Sequence, residues 1–177
     1  NLFLVKVFGK GDLKKFIKAA TPVGITAFTT RSSSGTIPVT MENTTKVLGV
    51  SEEIAGFTVP LGATINMNGA ALNMSIFGVL AANACGVDLT FSQYAIAVFV
   101  CTISGIGVPG IPSGGLVLNL LLLSTLGLPA GLLALITGID NLTDMICTAT
   151  NVIGDMVTSV IVDHGEKKTQ MEAAKNA

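Results

Sequence analysis

Asp140, Asp144, Cys147, Thr148, Asn151 and Asp155 recur along one largely apolar stretch near the end of the sequence. Set Asp140 at zero on a helix turning about 100° per residue. Asn151, Asp144 and Asp155 then fall near ~20°, ~40° and ~60°, with Cys147 and Thr148 at ~−20° and ~80°. One helix face therefore carries three carboxylates, an amide, a hydroxyl and a thiol. An Asp in mid-membrane costs about 2.5–3.5 kcal/mol on insertion scales, so three on one stripe call for partners, and cations are the obvious ones. Hard cations such as Na⁺ take carboxylates, amide oxygens and backbone carbonyls as ligands. A broken helix frees carbonyls of that kind. Gly62-Ala-Thr-Ile-Asn-Met-Asn-Gly69 reads as such a break, because Asn66, Asn68 and Gly69 lower helix propensity in an apolar span and the amides add oxygens.

Two further segments could bind a ligand. Ser32-Ser33-Ser34-Gly35 offers hydroxyls and free backbone N–H groups to an anion such as a carboxylate. Gly105, Gly107 and Gly110 spell G-x-G-x-x-G, but no alternating strand precedes them and prolines interrupt the stretch. A dinucleotide site is not expected there. Cys85, Cys101 and Cys147 form no C-x-x-C pair, so neither a zinc site nor a disulfide framework is expected. His164, the one histidine, sits beside Asp163 in a polar tail and reads as a solvated side chain. No lone serine pairs with a nearby His, so a hydrolase reading has no support.

The elements that must position these residues follow from charge and hydropathy. Half of the 177 residues are apolar and 12% are charged, where soluble domains have about 25%. Mean hydropathy is strongly positive, and a net charge of −1 gives no nucleic-acid footprint. No charge occurs from Ile54 to Val87 or from Leu89 to Ile139. A bilayer-crossing helix needs about 20 apolar residues, so the first stretch holds one span and the second is long enough for more. The opening Asn1-Leu-Phe-Leu-Val lacks both Met and a signal-peptide pattern. It reads as the end of an earlier hydrophobic segment, and the chain is expected to be truncated at its N-terminus.

Lysines cluster at both ends (Lys6, Lys10, Lys14, Lys15 and Lys18; Lys167, Lys168 and Lys175), which places both ends in the cytoplasm and an even number of crossings between them. Four apolar units are expected: 13–49, broken at Arg31–Pro38; 55–86, broken at Asn66–Gly69; 92–126, broken at Gly105–Gly115; and 130–162. Units one and three suit re-entrant hairpins, and units two and four suit spans. The two hairpins would then enter from opposite sides as an inverted repeat, with their tips near the midplane. Discontinuous helices in corresponding positions are the sequence pointer to a transporter's binding site, and irregular backbone at membrane depth needs a protein or watery surround. The expected division is 1–10 as the end of a preceding helix, 11–50 as the first hairpin, 51–88 as a broken span, 89–128 as the second hairpin, 129–163 as the site-bearing span and 164–177 as a cytoplasmic tail.

Four blocks in this order resemble the dicarboxylate/amino acid:cation symporter family of glutamate and neutral amino-acid transporters: Arg31-Ser-Ser-Ser-Gly-Thr-Ile-Pro38, Leu61-Gly-Ala-Thr-Ile-Asn-Met-Asn-Gly69, Gly110-Ile-Pro-Ser-Gly-Gly115 and Asp144-Met-Ile-Cys-Thr-Ala-Thr-Asn-Val-Ile-Gly-Asp155. The resemblance implies an all-α membrane protein whose core moves like an elevator against a homotrimeric scaffold. It implies that Ser33 contacts a substrate carboxylate, Asp144 holds the amino group, and Thr148 and Asn151 add contacts. It implies that Ile111, Pro112 and Gly115 form a gate. Gly62, Asn66, Asn151 and Asp155 resemble one sodium site. Thr64 and Met67, with carbonyls near Gly105, Ile106 and Val108, resemble another. Family members that carry acidic substrates have Arg where Cys147 stands and usually Thr where Ala70 stands, so this chain resembles the neutral (alanine–serine–cysteine) branch. Asn68 stands where the family has Asp, which puts a further sodium site in doubt. The expected activity is sodium-coupled uptake of small neutral amino acids, with no enzymatic role and no cofactor beyond Na⁺. The expected setting is the lipid of a cell membrane, bacterial inner membrane in particular. A C4-dicarboxylate or acidic amino-acid symporter using Arg31, a non-transporting sensor and a structural membrane protein are the rival expectations.

Overall fold

The computed structural model describes the chain except Lys10, Pro109 and Ala177 and the side chains of Leu135 and Asn176. The described residues are helical, with no strand among them: α1 Leu2–Val7, α2 Leu13–Thr30, α3 Ser33–Glu42, α4 Glu52–Ile65, α5 Asn68–Ala84, α6 Phe91–Gly107, α7 Leu116–Thr125 and α8 Leu133–Asn176. A π-helical turn, Asn43–Val47, extends α3, and a 3₁₀ turn, Ala130–Leu132, leads into α8.

The helix ends follow local chemistry. Asp12 caps α2 by accepting the Lys14 N–H at 2.9 Å. That helix stops at Arg31, whose φ of 53° is left-handed and cannot continue a right-handed helix. Ser32 then turns extended and caps α3, its Oγ accepting the Gly35 N–H at 3.0 Å. Ser51 caps α4, where Glu52 and Glu53 place negative charge on the positive end of the helix dipole. Thr90 and Gln93 form a reciprocal capping box at the start of α6.

Two stretches are long and apolar enough to cross a membrane: Glu52–Ala84, which is α4 and α5 taken through their break, and Ile136–Lys175 within α8. They overlap units two (55–86) and four (130–162) of the hydropathy reading, the second extending past residue 162. Helix α8 is the central element and packs along α2, α4 and α5. It joins two hydrophobic cores. Phe16, Ala19, Val23 and Ala27 of α2 pack with Val152, Met156 and Val157 of α8. Met74 and Phe77 of α5, Cys101 of α6 and Leu122 and Leu123 of α7 pack with Ile136 of α8. The polar stripe of α8 lies between these cores. At the second break the chain departs from the sequence expectation. Helix α6 continues through Gly105 and Ile106 to Gly107, so the second break begins only at Val108. Residues 164–176 continue α8 as helix.

Candidate functional site: a cavity between two helix tips

The α8 stripe is buried as its helical phase demands. Asp140, Thr148, Asn151 and Asp155 are buried, and Asp144 and Cys147 are half-buried. Facing them is the break between α4 and α5, where Asn66 and Met67 leave helical geometry. Its groups bond directly to the stripe. Asn66 Nδ2 donates to Asp155 Oδ1 at 2.9 Å, the Gly69 N–H donates to Asn151 Oδ1 at 2.7 Å, and Asn151 Nδ2 donates to Met67 Sδ at 3.1 Å. The carboxyl group of Asp155 lies so close to Gly62 that a β-carbon there would collide with it. Only glycine lets these backbones approach.

Asp155 is 1% exposed. Its side-chain partner is a neutral amide, and no Lys or Arg pairs with it among the described residues. A buried carboxylate without a positive partner is costly. Gly62 and Asn66 are thus brought to an uncompensated carboxylate, whose oxygens are of the type a hard cation takes, whereas the Asn151 amide, one helical turn away, is bonded to Gly69 and Met67 instead. The other expected cation group is assembled only in part. Met67, Gly105 and Ile106 border one open cleft with Asn68, whereas Thr64 and Val108 are not among its lining residues. Thr64 is exposed and turns its hydroxyl onto Leu61 C=O at 2.9 Å. Asn68 is exposed and accepts the N–H of Gly69 at 2.8 Å. Among the described residues no three His, Cys, Asp or Glu side chains converge as a transition-metal centre requires.

The two interhelical tips meet over the stripe. Gly110 C=O accepts both the Ser34 N–H at 3.1 Å and the Ser32 hydroxyl at 2.8 Å. The serine tip is therefore not a row of free donors: the N–H groups of Ser34 and Gly35 are already taken. Beneath the joined tips lies a cavity of about 30 Å³ bordered by Ser33, Ile111, Gly115, Asp144, Cys147, Thr148 and Asn151, all expected from sequence. Pro112 is exposed and does not border it. Arg31, Ala70, Asn119 and Asp140 border it as well. A space of this size holds a water or two.

Asp144 ties the tips together. Its Oδ2 accepts the Ser113 N–H at 3.0 Å and lies 4.0 Å from Arg31 Nη1. Arg31 Nη1 also donates to Asn141 Oδ1. Ser113 reaches Asp144 from a left-handed φ of 57°, a conformation that residue type alone does not announce. Asn119 was also missed, although it is legible as the polar interruption of Leu-Val-Leu-Asn-Leu-Leu-Leu-Leu in α7.

The family model for the "Sodium:dicarboxylate symporter family" matches residues 1–165. The chain belongs to that family. Family members are transporters rather than enzymes, and the chain is that of an integral membrane protein. It is 40% identical over 152 residues to "Excitatory amino acid transporter" of Caenorhabditis elegans, covering 86% of this chain and 30% of that protein. It is 38% identical over 149 residues to "Excitatory amino acid transporter 1" of Rattus norvegicus, covering 84% of this chain and 27% of the relative. With "Excitatory amino acid transporter 2" of Homo sapiens the identity is 39% over 143 residues, 81% of this chain and 25% of the relative. The chain thus spans roughly 25–30% of the length of these curated relatives.

Proposed function

We propose that this chain forms the substrate- and sodium-binding core of a secondary transporter that carries small neutral amino acids inward with Na⁺ by alternating access. The observation that carries the reading is the cavity closed by both tips over the α8 stripe, with Cys147 where acidic-substrate relatives have Arg. The N-terminus of α3 at Ser33 borders the cavity and suits the substrate carboxylate. Asp144 suits the amino group, Thr148 and Asn151 add polar contacts, and Cys147 meets the side chain. A thiol is small and weakly polar. It cannot neutralise a buried carboxylate, whose desolvation costs several kcal/mol.

Sodium would sit on Gly62, Asn66, Asn151 and Asp155, and a second ion on Thr64, Met67, Gly105, Ile106 and Val108. Units 13–49 and 92–126 are read as re-entrant hairpins. The second tip, with Ile111, Pro112 and Gly115, acts as the gate, because the present cavity is too small for the cargo. By family resemblance the core moves as an elevator against a homotrimeric scaffold. Exposed Phe57, Phe91, Phe99 and Leu142 would lie against scaffold or lipid. A cell membrane, bacterial inner membrane in particular, is the proposed location.

A second reading, an acidic amino-acid or dicarboxylate symporter, is favoured by Arg31 on the cavity wall and by the names of the relatives. A radiolabelled uptake panel on the intact gene product, with and without Na⁺, separates the two. Serine or alanine should outcompete aspartate. Cys147→Arg should reverse that order by tenfold or more, since it supplies a planar fork for a carboxylate. Aspartate outcompeting serine in the wild type would transfer the assignment to Arg31.

A further inference from the structure

Helix α7 is leucine-rich, yet it buries one amide. Asn119 is 2% exposed, on the same face as Leu122 and Leu123, which pack in the second core. Its Oδ1 has no hydrogen-bond partner among the described residues. The same holds for Oδ2 of Asp140, which is 4% exposed on α8. Both residues border the central cavity. Buried polar oxygens are nearly always satisfied, and those that are not call for an explanation. Here two residues of different helices border one cavity and each carries a buried, unsatisfied acceptor, where packing alone would have been served by another leucine.

We infer that Asn119 and Asp140 form a hydrogen-bond-accepting subsite of this cavity, which selects substrates whose side chain carries a hydroxyl or primary-amide donor. The inference rests on the transport reading above and deepens it. Asp140 and Asp144 share a helix face four residues apart, about 6 Å along the axis. One small amino acid can therefore hold its amino group at Asp144 and its side chain toward Asp140 and Asn119. An alkyl side chain leaves both acceptors unpaired, and a site built to bond a hydroxyl or amide rejects the analogue that lacks it. A side-chain carboxylate would bring a second negative charge close to Asp140. A serine or threonine hydroxyl can donate to one of the two oxygens, and an asparagine-like amide to both.

The test uses the purified intact gene product in proteoliposomes under an inward Na⁺ gradient. Serine is compared with 2-aminobutyrate and threonine with valine, pairs in which a hydroxyl is exchanged for a methyl. Wild type should prefer the hydroxyl member by about tenfold or more. Asn119→Leu should bring each pair to within about threefold, and Asn119→Ser should recover part of the preference. These ratios do not depend on how much protein reaches the membrane, so a poorly expressed variant is still informative. Equal handling within each pair by wild type assigns the two oxygens to water and overturns the inference while leaving neutral amino-acid transport standing. Retained selectivity in Asn119→Leu with altered sodium dependence assigns them to a cation and also overturns it. Absence of neutral amino-acid uptake overturns both readings.

Discussion

The two helix tips that meet over the cavity are built differently. The first is short and self-supporting: Arg31 ends α2 in the left-handed region, and Ser32 caps α3. Thr36 returns both its N–H and its hydroxyl to Ser32 C=O, at 3.1 and 2.7 Å. The second runs from Val108 to Gly115 without a side-chain cap. Within it the Gly114 N–H reaches Ile111 C=O at 3.1 Å, and its hold on the rest of the molecule comes from Gly110 on the serine tip and Ser113 on Asp144. Its bonds to the serine tip and to Asp144 would be lost together on parting, and low local stability is where opening motions begin. Under the transport reading proposed above, the difference makes the serine tip the expected wall and the glycine tip the part expected to yield.

The largest effect is expected at the residue both tips converge on. Asp144→Asn removes the charge facing Arg31 and the proposed amino-group site, and loss of a buried charge partner costs about 2–5 kcal/mol. Uptake should fall by on the order of a hundredfold with membrane expression retained. Unchanged affinity for amino acids would take Asp144 out of the site. Next is Gly110→Ala. A β-carbon at Gly110 would lie 2.6 Å from Ala63 C=O and 2.7 Å from Ser34 Oγ, so the tips could not join as they do. Overpacking of this kind costs about 1–3 kcal/mol. Uptake should drop at least about tenfold, and thiol reagents should reach Cys147 faster. Labelling at the wild-type rate would show that closure does not need this contact.

A smaller loss is expected for Ser32→Ala, which removes the cap of α3 and one bond to Gly110. Caps are worth about 1 kcal/mol, so transport should weaken several-fold, less than for Gly110→Ala. The reverse order would make the serine tip the moving part. The smallest effect should come from Asn68→Asp, at the helix break. It adds a full charge at the position where the resembled family has Asp for a sodium site, and apparent sodium affinity should rise about a few-fold. Sodium curves that superimpose for wild type and variant would exclude position 68 from ion coupling.

Much of this site was legible along the chain. The spacing of Asp140 to Asp155 placed those residues on one face, and that face is buried. The break at Asn66–Met67 was legible from two amides and a glycine in an apolar span. Other features were not. Gly105 looked like the start of a break, yet the strongly apolar α6 carries the helix on to Gly107. The donors expected to be free at Ser34 and Gly35 are consumed, because Gly110 and the Ser32 hydroxyl happen to lie within reach. Neither placement of Gly110 nor the left-handed turn at Ser113 follows from residue type.

Sequence alone determined which faces are polar, where several helices are capped and which stretches can cross a membrane. Each of these depends on neighbours within a turn or two, through periodicity, capping and propensity. Tertiary structure decided that Arg31 lies against Asp144, that Gly110 closes onto Ser32 and Ser34, and that Asn119 shares a cavity with Asp140. Those pairings join residues from 21 to 113 positions apart. They are set by how α2, α4, α5 and α7 pack around α8, and no local rule of helix formation encodes that packing.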